Sequence, residues 1–249
     1  MEAWELALAF VGSFVAGYVG SMLGLVLGTL RLPLIVAAAG SPSAAAGANV
    51  AISAAAAGAG GLRHAREGRV DWRVVAWTAP PSVAGAIAGA LLADDLSDTL
   101  LYAGISAVLV WSGIDVAVRP VKAQPRAKLR LGRGGVLAFG IGVLGGAVGV
   151  ILGTLRMPAY MRSVGMDVRR AAGTNLVVGF LLGLAAFSTY AAGGRVEWGV
   201  LAAGLAGAIP GGWLGAHATG RLPESVLRVA LGAVLVLVGL VFAAQAVWR

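Results

Sequence analysis

Two arginines stand out by where they occur. Arg31 and Arg156 each close a long apolar run, and their surroundings are nearly the same. The stretch Gly24-Leu-Val-Leu-Gly28-Thr29-Leu30-Arg31-Leu-Pro33 returns as Gly149-Val-Ile-Leu-Gly153-Thr154-Leu155-Arg156-Met-Pro158, with seven of ten positions identical. One arginine at the end of an apolar run normally snorkels to the lipid headgroups. A guanidinium kept within hydrocarbon costs at least about 2.5–3.5 kcal/mol, so it needs an anion or a functional role. Thr29 and Thr154 add hydroxyl donors to the arginine's own turn. Gly28 and Gly153, with Gly24 and Gly149, let backbone approach a ligand closely. Pro33 and Pro158 suit the first position of a helix. Short helices starting there would aim free N–H groups and a positive dipole end at the break, where anions bind. Asn49 and Asn175 form a second matched pair; a neutral amide can donate to an oxyanion or fasten a neighbouring helix. Ser53 and Thr174 are weaker candidates, and His64, in a basic loop, is expected to be solvated. His217 is expected at an interface.

The elements that position these residues are membrane helices. Of the 249 residues, 59% are hydrophobic and 12% charged, with a mean hydropathy of +0.87; soluble domains carry about 25% charge. Leu6–Gly28, Ala44–Leu62, Val74–Ala93 and Thr99–Val118 each approach the roughly 20 residues needed to span hydrocarbon. Comparable runs follow at 135–153, 171–192, 199–216 and 226–247. The 39 glycines suit close helix packing. The net charge of +8 sits mostly in short segments connecting apolar runs, which indicates topology rather than nucleic-acid binding. With no cysteine there is no disulfide or thiolate metal site. The N-terminus lacks the basic start of a cleavable signal, so Leu6 onward is expected to be a retained span.

The arginine motif belongs to a longer repeat. Ala46–Asn49 matches Ala172–Asn175, Gly68–Trp72 matches Gly194–Trp198, and Gly85 and Gly89 match Gly211 and Gly215, all at an offset of 126. The expected organisation is a first membrane repeat at 1–120, a basic cytoplasmic linker at 121–133 and a second, inverted repeat at 134–249. Inversion is read from charge. Arg119 and the linker's Lys122, Arg126, Lys128, Arg130 and Arg133 have only Glu2 and Glu5 as counterparts before the first repeat. Arg63, His64 and Arg66 face Thr189, Tyr190 and Ala192, while Asp94, Asp95 and Asp98 face Gly220, Arg221 and Glu224. Positive-inside bias does this to two copies of one unit lying in opposite orientations. Both termini then lie outside the cytoplasm, in a multi-pass protein of the cell inner (plasma) membrane. Parity requires an odd number of crossings per repeat. Either the first run of each repeat is a broken or re-entrant hairpin turning near Arg31, or residues 6–62 cross three times. Loop charges differ across the repeats, yet the two arginines do not, which places them inward and near the midplane.

No apolar run has a central Asp or Glu, so carboxylate proton relays are missing. Nucleotide-binding loops, metal clusters and hydrolytic triads are missing as well, so neither a cofactor nor an enzyme activity is expected.

The repeat, the glycine-containing breaks at Gly24–Pro33 and Gly149–Pro158, the Ala172–Asn175 stretch and the turns at Gly68–Trp72 and Gly194–Trp198 resemble the sulfite exporter TauE/SafE family of membrane permeases over nearly the whole chain. The resemblance implies transport of sulfur-containing anions such as sulfite and organosulfonates, usually outward. Leu-Gly-Thr-Leu-Arg replaces the family's glycine and apolar run in both repeats, adding positive charge that points to a different anion or a tighter hold. The expected function is a passive or secondary anion permease, with a small anion and membrane lipid as partners. An anion channel and a non-transporting scaffold are the alternatives, and homo-oligomerisation stays open.

Overall fold

The computed structural model describes residues 3–39, 42–91, 98–119, 129–148, 152–194 and 196–248. Asp94, Asp95, Lys122, Arg126, Lys128 and Gly149 lie outside these residues, and the side chains of Thr29, Pro33 and Asp98 lie outside the description too. The described residues are all-helical: α1 (Ala3–Leu23), α2 (Gly28–Ala39), α3 (Pro42–Arg66), α4 (Trp72–Leu91), α5 (Asp98–Val118), α6 (Leu131–Val148), α7 (Gly153–Ala159), α8 (Val168–Ala192), α9 (Trp198–Arg221) and α10 (Glu224–Trp248), with one π-helical turn, Tyr160–Val164, after α7. Four described helices are long and apolar enough to cross a bilayer: α1, α8, α9 and α10. Shorter apolar stretches lie in α5 and α6.

The sequence repeat recurs in the helix boundaries. α3 and α8 are each 25 residues long and begin 126 residues apart, at 42 and 168. α4 and α9 likewise begin at 72 and 198, and α5 and α10 at 98 and 224. Partnering, however, is exchanged. The chain forms two compact units, Met1–Val70 with Ala172–Arg221 and Asp71–Ala171 with Leu222–Arg249. In the first, α1 packs on α9, and α3 also lies on α9. In the second, α4 packs on α6 and α5 on α10. Each repeat therefore contributes helices to both units.

Glycine makes these close approaches. A Cβ on Gly207, Gly211 or Gly215, one helical turn apart on α9, would strike the Phe10, Phe14 or Tyr18 carbonyl of α1. In the second unit Gly85 meets the Phe139 carbonyl, the repeat counterpart of Gly211 on Phe14. Gly142 on Ser82 likewise repeats Gly17 on Ala208. On α5 and α10, Gly113 meets Gly232, and its counterpart is Gly239 on Ser106. The duplicated sequence is thus a duplicated set of contacts.

In the first break α1 stops where Gly24 takes a left-handed backbone, φ +73°, pressed on Ala172 of α8. The Leu25 N–H bonds the Gly20 carbonyl at 2.7 Å, and α2 starts at Gly28. Leu34 of α2 then packs against Gly12 midway along α1, so α2 runs back beside α1.

Two expectations are corrected here. The turn lies at 24–27, before Arg31, and Pro33 and Pro158 sit inside α2 and α7 rather than at their first positions. The left-handed Gly24 ends α1 and lets the next helix start at Gly28. Proline as sixth residue then removes one hydrogen bond, to the carbonyl four residues back.

Candidate functional site

Arg31 lies one turn into α2 and is 3% exposed. Its Nε donates to Asn49 Oδ1 at 3.0 Å. Its Nη2 donates to Asn49 Oδ1 at 2.7 Å, to the Asn49 carbonyl at 2.9 Å and to Ser53 Oγ at 2.8 Å. Asn49 Nδ2 in turn donates to the Gly28 carbonyl at 3.0 Å. Asn49 and Ser53 are one turn apart on α3 and face Arg31 together. A Cβ on Gly28 would collide with Ser53 Oγ, so glycine there brings α2 onto α3. These neutral acceptors satisfy hydrogen bonds but leave the positive charge in place. Among the described residues no carboxylate forms an ion pair with Arg31. Beside the guanidinium is a cavity of about 10 Å³ bounded by Ser21, Leu25, Gly28, Ser53 and Ala57. That is room for about one water.

Asn175 reaches the same break from α8, its Nδ2 donating to the Gly24 carbonyl at 2.7 Å. Both matched asparagines therefore hold backbone carbonyls of the first break, and Asn49 also orients the arginine. Gly28, Arg31, Asn49 and Asn175 come together in the first unit. In the second unit Arg156 is 1% exposed on α7, which also carries buried Gly153, Thr154 and Pro158. Tyr160, one turn beyond Arg156, is buried and its hydroxyl shares a 2.8 Å hydrogen bond with Thr78 Oγ1.

Sequence reading undervalued three groups. Ser53 is a direct partner of Arg31, signalled by its place four residues after Asn49. Tyr160 was signalled in the same way by Arg156. His64 is not solvated: it is 0% exposed in the last turn of α3, with Nε2 3.2 Å from the Ser21 carbonyl. The loop it was assigned to is helical up to Arg66, and Gly173 of α8 packs on its Cβ.

A charged cluster closes this end of the first unit. Glu67 pairs with Arg63 and Arg69, and His217 Nδ1 lies 2.7 Å from Arg63 Nη2 and 3.7 Å from Glu67 Oε1. Arg63 and Arg66 both stack 5.1 Å from the Trp213 ring centroid. Burial raises the Glu67 carboxyl, but the Arg63 hydrogen bond and the Arg69 charge outweigh it and hold it below the ordinary carboxylate range.

Apolar helices packed through glycine, four of them long enough to cross a bilayer, define an integral membrane protein. The model of the family described as sulfite exporter TauE/SafE matches residues 9–242, and the chain belongs to that family. It is a transmembrane transporter, as members of this family are, and not an enzyme. It is 24% identical over 232 residues to the probable membrane transporter protein YdhB of Bacillus subtilis (strain 168), covering 91% of this chain and 90% of that one. No solved structure matches.

Proposed function

We propose that the protein is a permease for a small anion, a sulfur-containing oxyanion or organosulfonate, moved outward across the cell inner membrane. The observation that carries this is Arg31: a buried guanidinium whose hydrogen bonds go to neutral groups, leaving a charge for a transported anion to offset. Each repeat contributes one buried arginine, Arg31 or Arg156, to bind the anion. Thr29, Thr154, Asn49 and Asn175 supply neutral donors near the breaks, and Gly28, Gly153, Pro33 and Pro158 shape the backbone there. The 10 Å³ beside Arg31 is too small for an oxyanion, so loading requires α2 and α3 to part. An occluded resting state of this kind suits alternating access.

The repeats lie in opposite orientations, with the basic 121–133 linker cytoplasmic, both termini outside, and the α1–α2 pair a re-entrant hairpin. Exchanged partners and duplicated glycine contacts support two copies of one structural unit. Charge asymmetry in the loops supports the opposed orientation. An inside-negative potential is worth about 2.3 kcal/mol per charge per 100 mV and drives anions out, so export needs no proton relay.

The test is sulfite and alkanesulfonate flux in proteoliposomes, with counterflow to separate a carrier from a channel. Saturable flux with counterflow, lost in Arg31→Ala and Arg156→Ala, is the expected outcome. Unimpaired flux in both variants refutes the role of the arginines.

A further inference from the structure

The second unit carries a groove lined by neither buried arginine, with about 440 Å³ of free space. That is the size of a small-molecule site. α5 supplies one wall through Ile105, Val108 and Trp111, α6 the other through Leu137 and Ile141, and Leu155 of α7 lies at the base. Trp111 is 71% exposed, so the wall stands open. The groove runs along α5 from Gly104 to Arg119, about 22 Å at the helical rise. That exceeds the roughly 15 Å depth of one leaflet's hydrocarbon.

One end is polar. Asp115 Oδ2 pairs with Arg162 Nε at 2.6 Å and Oδ1 with Arg119 Nη1 at 3.4 Å. Arg162 also caps α5, its Nη2 donating to the Asp115 carbonyl at 2.7 Å and the Arg119 carbonyl at 2.9 Å. The Arg130 N–H bonds the Val164 carbonyl at 3.2 Å, which brings exposed Arg130, and Arg133 one turn on, to this end. Two guanidiniums thus share the Asp115 carboxylate, Arg119 remains 72% exposed, and Arg130 and Arg133 add positive charge where α6 begins. A bare apolar wall would take any bulk lipid, whereas an apolar groove ending in unbalanced cations selects a chain with an anionic head.

We propose that this groove binds an anionic phospholipid of the cytoplasmic leaflet, one acyl chain lying between α5 and α6 and the phosphate on Arg119, Arg130 and Arg133. The apolar stretch from Gly104 to Ser112, about 12 Å at the helical rise, holds the upper part of an acyl chain, with the head at the Asp115–Arg119 end. The charge excess fits a head with net negative charge and gives a zwitterionic one no advantage. A second copy is a poorer occupant, because two-fold pairing of this face in one membrane would bring the arginine ends together.

The experiment uses the full chain, delipidated in mild detergent. Its melting temperature is measured with dioleoylphosphatidylglycerol and with dioleoylphosphatidylcholine, alongside native mass spectra. The expected result is a rise of several degrees with phosphatidylglycerol only, with one lipid retained per chain. The rise should vanish in Arg119→Gln/Arg133→Gln, whose changes are at the surface, and in Val108→Trp, which fills the groove. If Val108→Trp does not fold, the groove is read in vesicles by quenching from bromine-labelled phosphatidylglycerol chains. The Trp111 share, taken by difference from Trp111→Phe, should exceed that with brominated phosphatidylcholine. Equal effects of the two lipids, an undiminished rise in the arginine variant, or a dimer unaffected by phosphatidylglycerol would each overturn the proposal.

Discussion

The two breaks carry nearly the same ten residues, yet the chain leaves them differently. The helix that carries Arg31, α2, is regular over its 12 residues. The helix that carries Arg156, α7, has only 7 residues before the chain widens into the π turn, which Gly165 ends with a left-handed backbone, φ +95°. Around them stand residues the repeats do not share. Tyr160 replaces Ile35 and finds the Thr78 hydroxyl, a position that is Gly204 in the other copy. Ser53, which receives Arg31, is Gly179 in the second repeat. The shared motif sets where the helix starts and that its arginine is buried. Unshared neighbours set what that arginine touches and how the next turn is wound. A π turn often marks a functional segment.

The comparison can be broken most severely at Asn49. Asn49→Leu removes the side-chain acceptor of a buried guanidinium, leaving it the backbone carbonyl and Ser53, and should destabilise the protein by about 1.5–3 kcal/mol, the worth of hydrogen bonds to a charged group. Adding Arg31→Met should recover most of that loss, read as a double-mutant cycle in reversible unfolding. Gly211→Leu and Gly85→Leu probe where the copies agree. Both should cost about 1–3 kcal/mol by overpacking against a phenylalanine carbonyl, and a large cost in only one would show that the contacts are not equivalent. Tyr160→Phe should cost about 1 kcal/mol through the lost Thr78 bond, whereas Ile35→Val, its counterpart, leaves no polar partner stranded.

The smallest effect is electrostatic. Because Glu67 is held below its ordinary range when folded, its contribution is fully present above the unfolded carboxylate pKa of about 4.3. It is lost as pH falls through the lower folded value. Glu67→Gln should lower stability by about 1 kcal/mol or less at pH 7, and the difference from the parent should disappear in melts run in stronger acid.

The all-helical membrane class, the repeat and the burial of Arg31 and Arg156 could be read from the sequence, because hydropathy and a matched cation in both repeats each carry a physical cost. Partner choice could not: nothing in α1 states that it packs on α9 rather than within its own repeat. The four-residue glycine spacing showed that some backbone approaches closely, without naming which. Proline placement misled because a favoured first position is a preference, and the left-handed Gly24 fixed the helix start instead. The asparagines were ambiguous for a plain reason: an amide that can meet an oxyanion can equally meet a carbonyl, and the Nδ2 groups of Asn49 and Asn175 donate to carbonyls. His64 was misjudged because its basic neighbours suggested a loop where the helix continues.

The proposed permease leaves the charge of Arg31 uncompensated for a transported anion. Asn49→Asp puts a carboxylate in place of the neutral acceptor with almost no change of shape. If the charge serves the anion, this built-in counter-ion should abolish sulfite or sulfonate flux in proteoliposomes while the protein stays folded, the loss of the Gly28 hydrogen bond costing only about 1 kcal/mol. Flux in folded Asn49→Asp equal to that of the parent would contradict the account.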